Sequence, residues 1–140
     1  MSDHLEHYKA GMASYGQGQY DAAIASFEEA LKAKPEWTDA MHGLALALMH
    51  AEEFDRAIEV GKAIAEIDKE DPFAHTSLSM FYQRKSQIAE KAGLEAEAKE
   101  LIRLAEEQGN KARLLSWKIE LKTNPTAPPP GPVGSMDVIE

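Results

Sequence analysis

The stretch Gly16–Trp37, GQGQYDAAIASFEEALKAKPEW, decides the fold. Read alone it is an amphipathic helix, opened by a glycine-rich turn and closed by Pro35. Proline cannot continue a helix interior, because it lacks an N–H and clashes with the preceding turn. Shifted by 34 residues, the stretch meets a second copy of itself. Tyr20-Asp21-Ala22-Ala23-Ile24 falls on Phe54-Asp55-Arg56-Ala57-Ile58, so an aromatic, an aspartate, an alanine and an isoleucine keep their places (54 − 20 = 34). Upstream, Ala10-Gly11 falls on Leu44-Ala45. A period of 34 is that of a helix-turn-helix unit, which cannot bury its apolar side alone and stacks on copies of itself.

A third copy opens at Pro72, with Leu78, Ser79 and Tyr82 at the places of its first helix. Its second half arrives late. Gly93–Ala98 copies the spacing Gly18–Ala23, but 98 − 23 is 75 rather than two periods, 68, so seven residues are inserted. Seven residues make nearly two helical turns, a drift of only ~20°. The inner face is therefore kept, and the first helix of this unit lengthens through RKSQIAEKA and projects past the body of the stack. After Gly109, Asn110 is placed to cap a further helix whose stripe is Ala112, Leu115 and Ile119. Lys111–Lys122 is read as the helix that closes the open end of the stack, with Trp117 at its edge.

At these residues the sequence resembles the tetratricopeptide repeat family. That family favours small or large apolar residues at eight places in each unit. Counting from His4, Gly11, Ala23, Phe27, Ala30 and Pro35 match, while His7, Ala10 and Ser14 depart. Counting from Thr38, Leu44, Ala45 and Ala57 match, Met41 and Leu48 are apolar substitutes, and Gly61, Ile64 and Lys69 depart. The resemblance implies an all-α fold, a right-handed superhelical stack of antiparallel helix pairs. Its units are 4–37, 38–71 and 72–110, followed by the capping helix 111–122 and a proline-rich flexible tail, 123–140.

In that family the first helices of successive units line a concave groove. Carried over position by position, the resemblance implies a peptide-binding face made of Leu5, Tyr8, Met12 and Tyr15, then Asp39, His42, Leu46 and Met49, then Phe73, Thr76, Met80 and Gln83. Nine of these twelve are apolar, aromatic or histidine. The three methionines supply a soft, adaptable surface. Members that clamp a chaperone's terminal carboxylate use lysine, arginine and asparagine here. In this chain Leu5, Asp39, Gly43, Phe73 and Ser77 stand at comparable sites and only Lys9 is basic, which argues against such a clamp. The face suits an extended or helical apolar peptide, and in character it is similar to the three-repeat chaperones of bacterial secretion systems.

Composition bounds the remaining function classes. The chain has 140 residues, 44% of them hydrophobic, and no cysteine, which excludes disulfides and thiolate chemistry. No apolar run reaches the roughly 18 residues of a membrane span, and MSDHLEHYKAG does not read as an export signal, so a soluble, cytoplasmic protein is expected. Net charge is −9, all of it in the first half. Met1–Asp71 holds 15 acidic and 6 basic residues, and the remainder holds 9 of each. That half repels phosphate backbones, so nucleic acid is not an expected partner, whereas a basic partner is steered toward it. His4 and His7 are three apart, but no third metal ligand is marked beside them. No phosphate loop, nucleophile elbow or metalloprotease signature occurs. The expectation is a non-enzymatic interaction module with no cofactor and no metal: an adaptor, assembly factor or peptide chaperone. The alternative is a constitutive subunit of a larger complex or homo-oligomer, with the tail as its docking arm. The end of that tail, VGSMDVIE, carries Val133, Met136, Val138 and Ile139, and is expected to occupy an apolar groove of its own or of a neighbour.

Overall fold

In a computed structural model of the chain, residues 3–131 are described. Among them every regular element is α-helical. These are α1 (His4–Gly16), α2 (Tyr20–Ala33), α3 (Thr38–His50), α4 (Phe54–Ile67), α5 (Pro72–Lys91) and α6 (Glu95–Thr123). The chain divides into two compact units, Met1–Lys69 with α1–α4, and Glu70–Glu140 with α5 and α6. The expected groove occupancy of Val133, Met136, Val138 and Ile139 lies outside the described residues.

Three of the turns are built alike, down to individual hydrogen bonds. α1 ends with Gly18 in the left-handed region, φ 75°. There Gly18 N–H donates to Tyr15 O (3.0 Å) and Gln19 N–H to Ser14 O (2.9 Å), the paired closure that satisfies the last carbonyls of a helix. One period later Glu52, φ 62°, repeats it through Met49 O (2.9 Å) and Leu48 O (2.8 Å). Gly93, φ 81°, repeats it again through Glu90 O (3.0 Å) and Ala89 O (2.9 Å). Side-chain caps recur as well. Asp3 accepts from Leu5 N–H (3.0 Å) at the start of α1, and Asp71 accepts from Phe73 N–H (2.9 Å) at the start of α5. Pro72 follows Asp71 at the first position of α5, where a missing N–H costs nothing.

In unit 1, α1 packs on α2, α2 on α3 and α3 on α4, and α1 also touches α3. Ala23, Ile24, Phe27 and Ala30 turn one face of α2 inward, and Ala57, Ile58 and Ile64 do the same for α4. α3 is buried on most sides, through Ala40, Met41, Leu44, Ala45, Ala47, Leu48 and Met49. In unit 2, α5 and α6 pair lengthwise. α5 has 20 residues against 13 for α1 and α3, a difference of seven that corresponds to the inserted residues. The added turns do not project bare, because Ser86 and Ala89 within them are buried.

One element differs from the sequence reading. No separate helix opens at Asn110. α6 runs unbroken for 29 residues through Gly109 and Asn110. Its buried alanines Ala98, Ala105 and Ala112 lie seven apart, so one stripe faces the partner throughout. Gly109 reads as a stop because glycine commonly ends helices, yet here it lies inside the helix, where a Cβ would meet Ser79 Oγ at 3.6 Å in ordinary contact. Beside it Ser79 Oγ donates to Ala105 O (2.8 Å), and His75 Nδ1 lies 2.7 Å from Gln108 Oε1. Asn110, instead of capping, accepts from Arg113 Nη2 (2.7 Å).

Candidate partner-binding faces

The twelve residues implied by the resemblance fall into four kinds of surroundings. Leu5 and Met12 are the large apolar side chains that α1 leaves open, at 44% and 47% exposure. Seven residues apart, they share one stripe of the helix. Tyr8 and Tyr15 alternate with them along α1 and lean on neighbours instead. Tyr8 packs on Trp37 (centroids 4.8 Å apart) and on Phe27 (6.0 Å), while His4 meets Trp37 edge-on at 5.1 Å and Lys34 Nζ lies 4.9 Å from the Trp37 ring centre. Tyr15 meets Tyr20 at 5.7 Å and His50 at 5.5 Å, and Tyr20 stacks on His50 at 4.6 Å. Burial, and then the neighbouring Tyr20, push the Tyr15 phenol above its ordinary value, so it is neutral at physiological pH. The two aromatic groups stand at opposite ends of α1. Each ties α1 to α2 and to the α3 side through Trp37 or His50.

On α3, Asp39 is exposed and His42 and Leu46 are half-buried. Met49 is a correction. At 3% exposure it belongs to the core of α3 and not to an open face, because its position on a helix enclosed on most sides leaves it no way out. Among the described large apolar side chains of unit 2, Phe73 is the most open, at 70%. Thr76 is exposed, and its hydroxyl is turned back onto Pro72 O (3.1 Å). Met80 is half-buried. Gln83 is exposed and donates to Ser79 Oγ at 3.3 Å.

Sequence reasoning missed three features. The first is the seat of Phe27. A Cβ on Gly11 would lie 2.7 Å from its ring, and one on Gly43 would lie 2.5 Å from it. Gly43 stood out in the sequence only among the sites compared with a carboxylate clamp, and nothing along the chain says which ring it faces. The second is a largely apolar hollow of about 460 Å³ in unit 1, lined by Leu31, Pro35, Met41, Ala63 and Ile67 together with Glu36 and Glu66. The third is the segment after α6. The tail was expected to be flexible from Thr123. Instead Thr123 ends α6, Asn124 Oδ1 accepts from Thr126, and Ala127, only 6% exposed, folds back against Trp117. The five prolines that follow Thr123 hid this, because they mark the absence of helix and say nothing of docking. His4 and His7 form no ligand set, and among the described residues no three His, Asp or Glu side chains group as a metal site. No described helix is long and apolar enough to cross a membrane.

The repeated turns, the small residues against Phe27 and the 34-residue period define a helical-repeat protein. Residues 8–74, just under half of the chain, match the tetratricopeptide repeat model, and this stretch is a tetratricopeptide repeat region. Similar proteins include the photosystem I assembly protein Ycf3 of Synechococcus sp. (strain CC9605), 29% identical over 90 residues, covering 62% of this chain and 52% of the relative. Ycf3 of Synechococcus sp. (strain CC9902) is 25% identical, covering 66% and 55%. Ycf3 of Prochlorococcus marinus (strain MIT 9303) is 22% identical, covering 69% and 57%. The chain thus spans little more than half the length of these relatives.

Proposed function

We propose that this chain is a non-enzymatic assembly factor whose α1–α3 face in unit 1 holds an apolar stretch of a protein partner. The observation that carries this reading is the pair Leu5 and Met12. Two large apolar side chains, each nearly half exposed, lie on one stripe of α1 while every other large apolar residue of that unit's first repeat finds cover. Water-exposed apolar area of this kind gains about 25 cal/mol per Å² when covered. The face is held rigidly by the aromatic groups at both ends of α1, so a partner would lose little to the ordering of this surface. The relatives' role in photosystem I assembly supports the broad class, a factor that holds partners while a complex is put together. The α5 face, with Phe73 open, is a second surface of the same character.

The test is binding of defined 12-residue peptides, amphipathic against wholly polar, to the wild-type chain and to the double variant Leu5→Glu/Met12→Glu. Both positions are open, so helicity and unfolding midpoint should be unchanged. Affinity for the amphipathic peptides is expected to fall at least tenfold. Equal binding by wild type and variant would remove this face as the site.

A further inference from the structure

The segment that follows α6 is held by chemistry of a particular kind. Past Thr123, Ala127 N–H donates to Asn124 O at 3.0 Å, and the Asn124 side chain accepts from Thr126 N–H (3.3 Å) and Oγ1 (2.9 Å). This turn sends the chain back along α6. Trp117 Nε1 then donates to Ala127 O at 3.0 Å, and Ala127 is buried. Pro128 and Pro130 go on to border a hollow of about 340 Å³, together with Ala112, Trp117 and Glu120 of α6 and Thr76 of α5.

Three successive prolines, Pro128–Pro130, have a fixed φ and no N–H, so they favour an extended helix that offers carbonyl acceptors and no donors. The indole of tryptophan is its complement, a donor without an acceptor on a broad apolar ring. Trp117 meets that chain at the carbonyl immediately before the first of the three prolines. The hollow beside it is bordered by Pro128 and Pro130 on one part and by Ala112, Trp117 and Glu120 of α6 on another. We propose that the Trp117 groove of unit 2 is a recognition site for a proline-rich, extended segment of a partner protein, and that Ala127–Pro130 occupies it as a tethered stand-in. Only Asn124–Thr126 separate the end of α6 from Ala127, so the tethered segment has an effective concentration in roughly the millimolar range or above. A partner binds when the strap lifts or is outcompeted. This site is in unit 2 and does not depend on the reading of the α1 face, so either stands if the other fails.

The full chain has two tryptophans, so its two indole N–H signals can be followed by NMR, with that of Trp117 assigned by Trp117→Phe. The probe is the peptide NPTAPPPG, the sequence of residues 124–131, with a control in which its prolines after alanine become alanine. Ala127→Asp lifts the strap by placing a charge at a buried position outside every helix. Circular dichroism should show unchanged helicity, and the variant Pro128→Gly/Pro129→Gly/Pro130→Gly lifts it without added charge. In either variant the Trp117 N–H should exchange with solvent at least tenfold faster than in wild type. The peptide should then shift its signal saturably, wild type should need at least tenfold more peptide, and the control should do nothing. Unaltered Trp117 exchange in both variants, a freed Trp117 that the peptide does not shift, or an equal shift by the control would each overturn the proposal.

Discussion

Phe27 is fully buried, with Gly11 of α1 on one side and Gly43 of α3 on the other. Neither glycine is there for a turn, since both lie inside helices, where glycine costs about 1 kcal/mol relative to alanine. The ring repays this by filling the space that two missing Cβ atoms open. Gly43→Ala should therefore destabilise the chain by about 1–3 kcal/mol through overpacking, although alanine is the better helix former. Combined with Phe27→Leu, which vacates part of the ring's volume, the loss should fall short of the sum of the single losses by about 1 kcal/mol. Urea unfolding of the four chains checks both numbers, and strict additivity would mean that the ring and the glycine do not meet. A second prediction concerns Glu52, which adopts φ 62° at the turn position held by glycine in the other two copies. L-residues pay roughly 1–2 kcal/mol in this region. Glu52→Gly should raise stability by about 0.5 kcal/mol after the extra freedom of unfolded glycine is subtracted, whereas Gly18→Ala and Gly93→Ala should each lower it by about 1 kcal/mol.

Among the elements, α6 tests how a helix overrides a local stop signal. Its 29 residues include Gly109-Asn110, a pair that ends helices elsewhere. Continuing costs the glycine penalty, but stopping would turn Ala112 out of the stripe that Ala98 and Ala105 begin. Gly109→Ala separates the two readings cleanly. In a continuous helix, with the added Cβ 3.6 Å from Ser79 Oγ and so in ordinary contact, it should raise the melting temperature, by about 0.5–1 kcal/mol in stability. Were Gly109 a left-handed terminus, the same change would lower it. The second helices of the first two repeats are also joined by an ion pair, Arg56 Nη2 to Glu28 Oε2 at 2.8 Å. The pair is solvent-exposed and screened, which limits it to a small share of stability. Packing, not charge, holds α2 against its neighbours.

For the whole molecule, the sign of the charge matters more than any pair. The excess of acid in the first half surrounds the same unit that exposes Leu5 and Met12. Long-range attraction speeds encounter and is screened over roughly 8–10 Å in ordinary buffers. An amphipathic peptide carrying lysines should therefore associate with this unit several-fold more slowly when salt rises from about 20 to 500 mM, with its dissociation rate little altered. Leu5→Glu/Met12→Glu should act in the opposite way, mainly on dissociation. Stopped-flow measurement of both rates checks the division. A peptide of matched apolar content but net negative charge should show no such salt-slowed association.

How much could be read beforehand differs by scale. The period, the helix pairs, the glycine-marked turn before α2, its copy at Gly93 and the extra seven residues of α5 were legible, because each is a local rule written over a few neighbouring residues. On α1 the resemblance put Leu5, Tyr8, Met12 and Tyr15 on one face, and of these Leu5 and Met12 are left open. Spacing could not say that Tyr8 and Tyr15, on the same stripe, would be claimed by Trp37, Tyr20 and His50, nor that Met49 would be enclosed. Those outcomes depend on side chains distant in sequence arriving at the same place. The sequence alone determined what each segment is and where it turns, because backbone hydrogen bonding and glycine or proline conformations are settled within about one helical turn. Tertiary structure alone decided which ring fills the space between two glycines, that α6 passes its stop signal, and that the proline segment lies on Trp117, because each is a competition between local preference and burial that only packed neighbours can resolve.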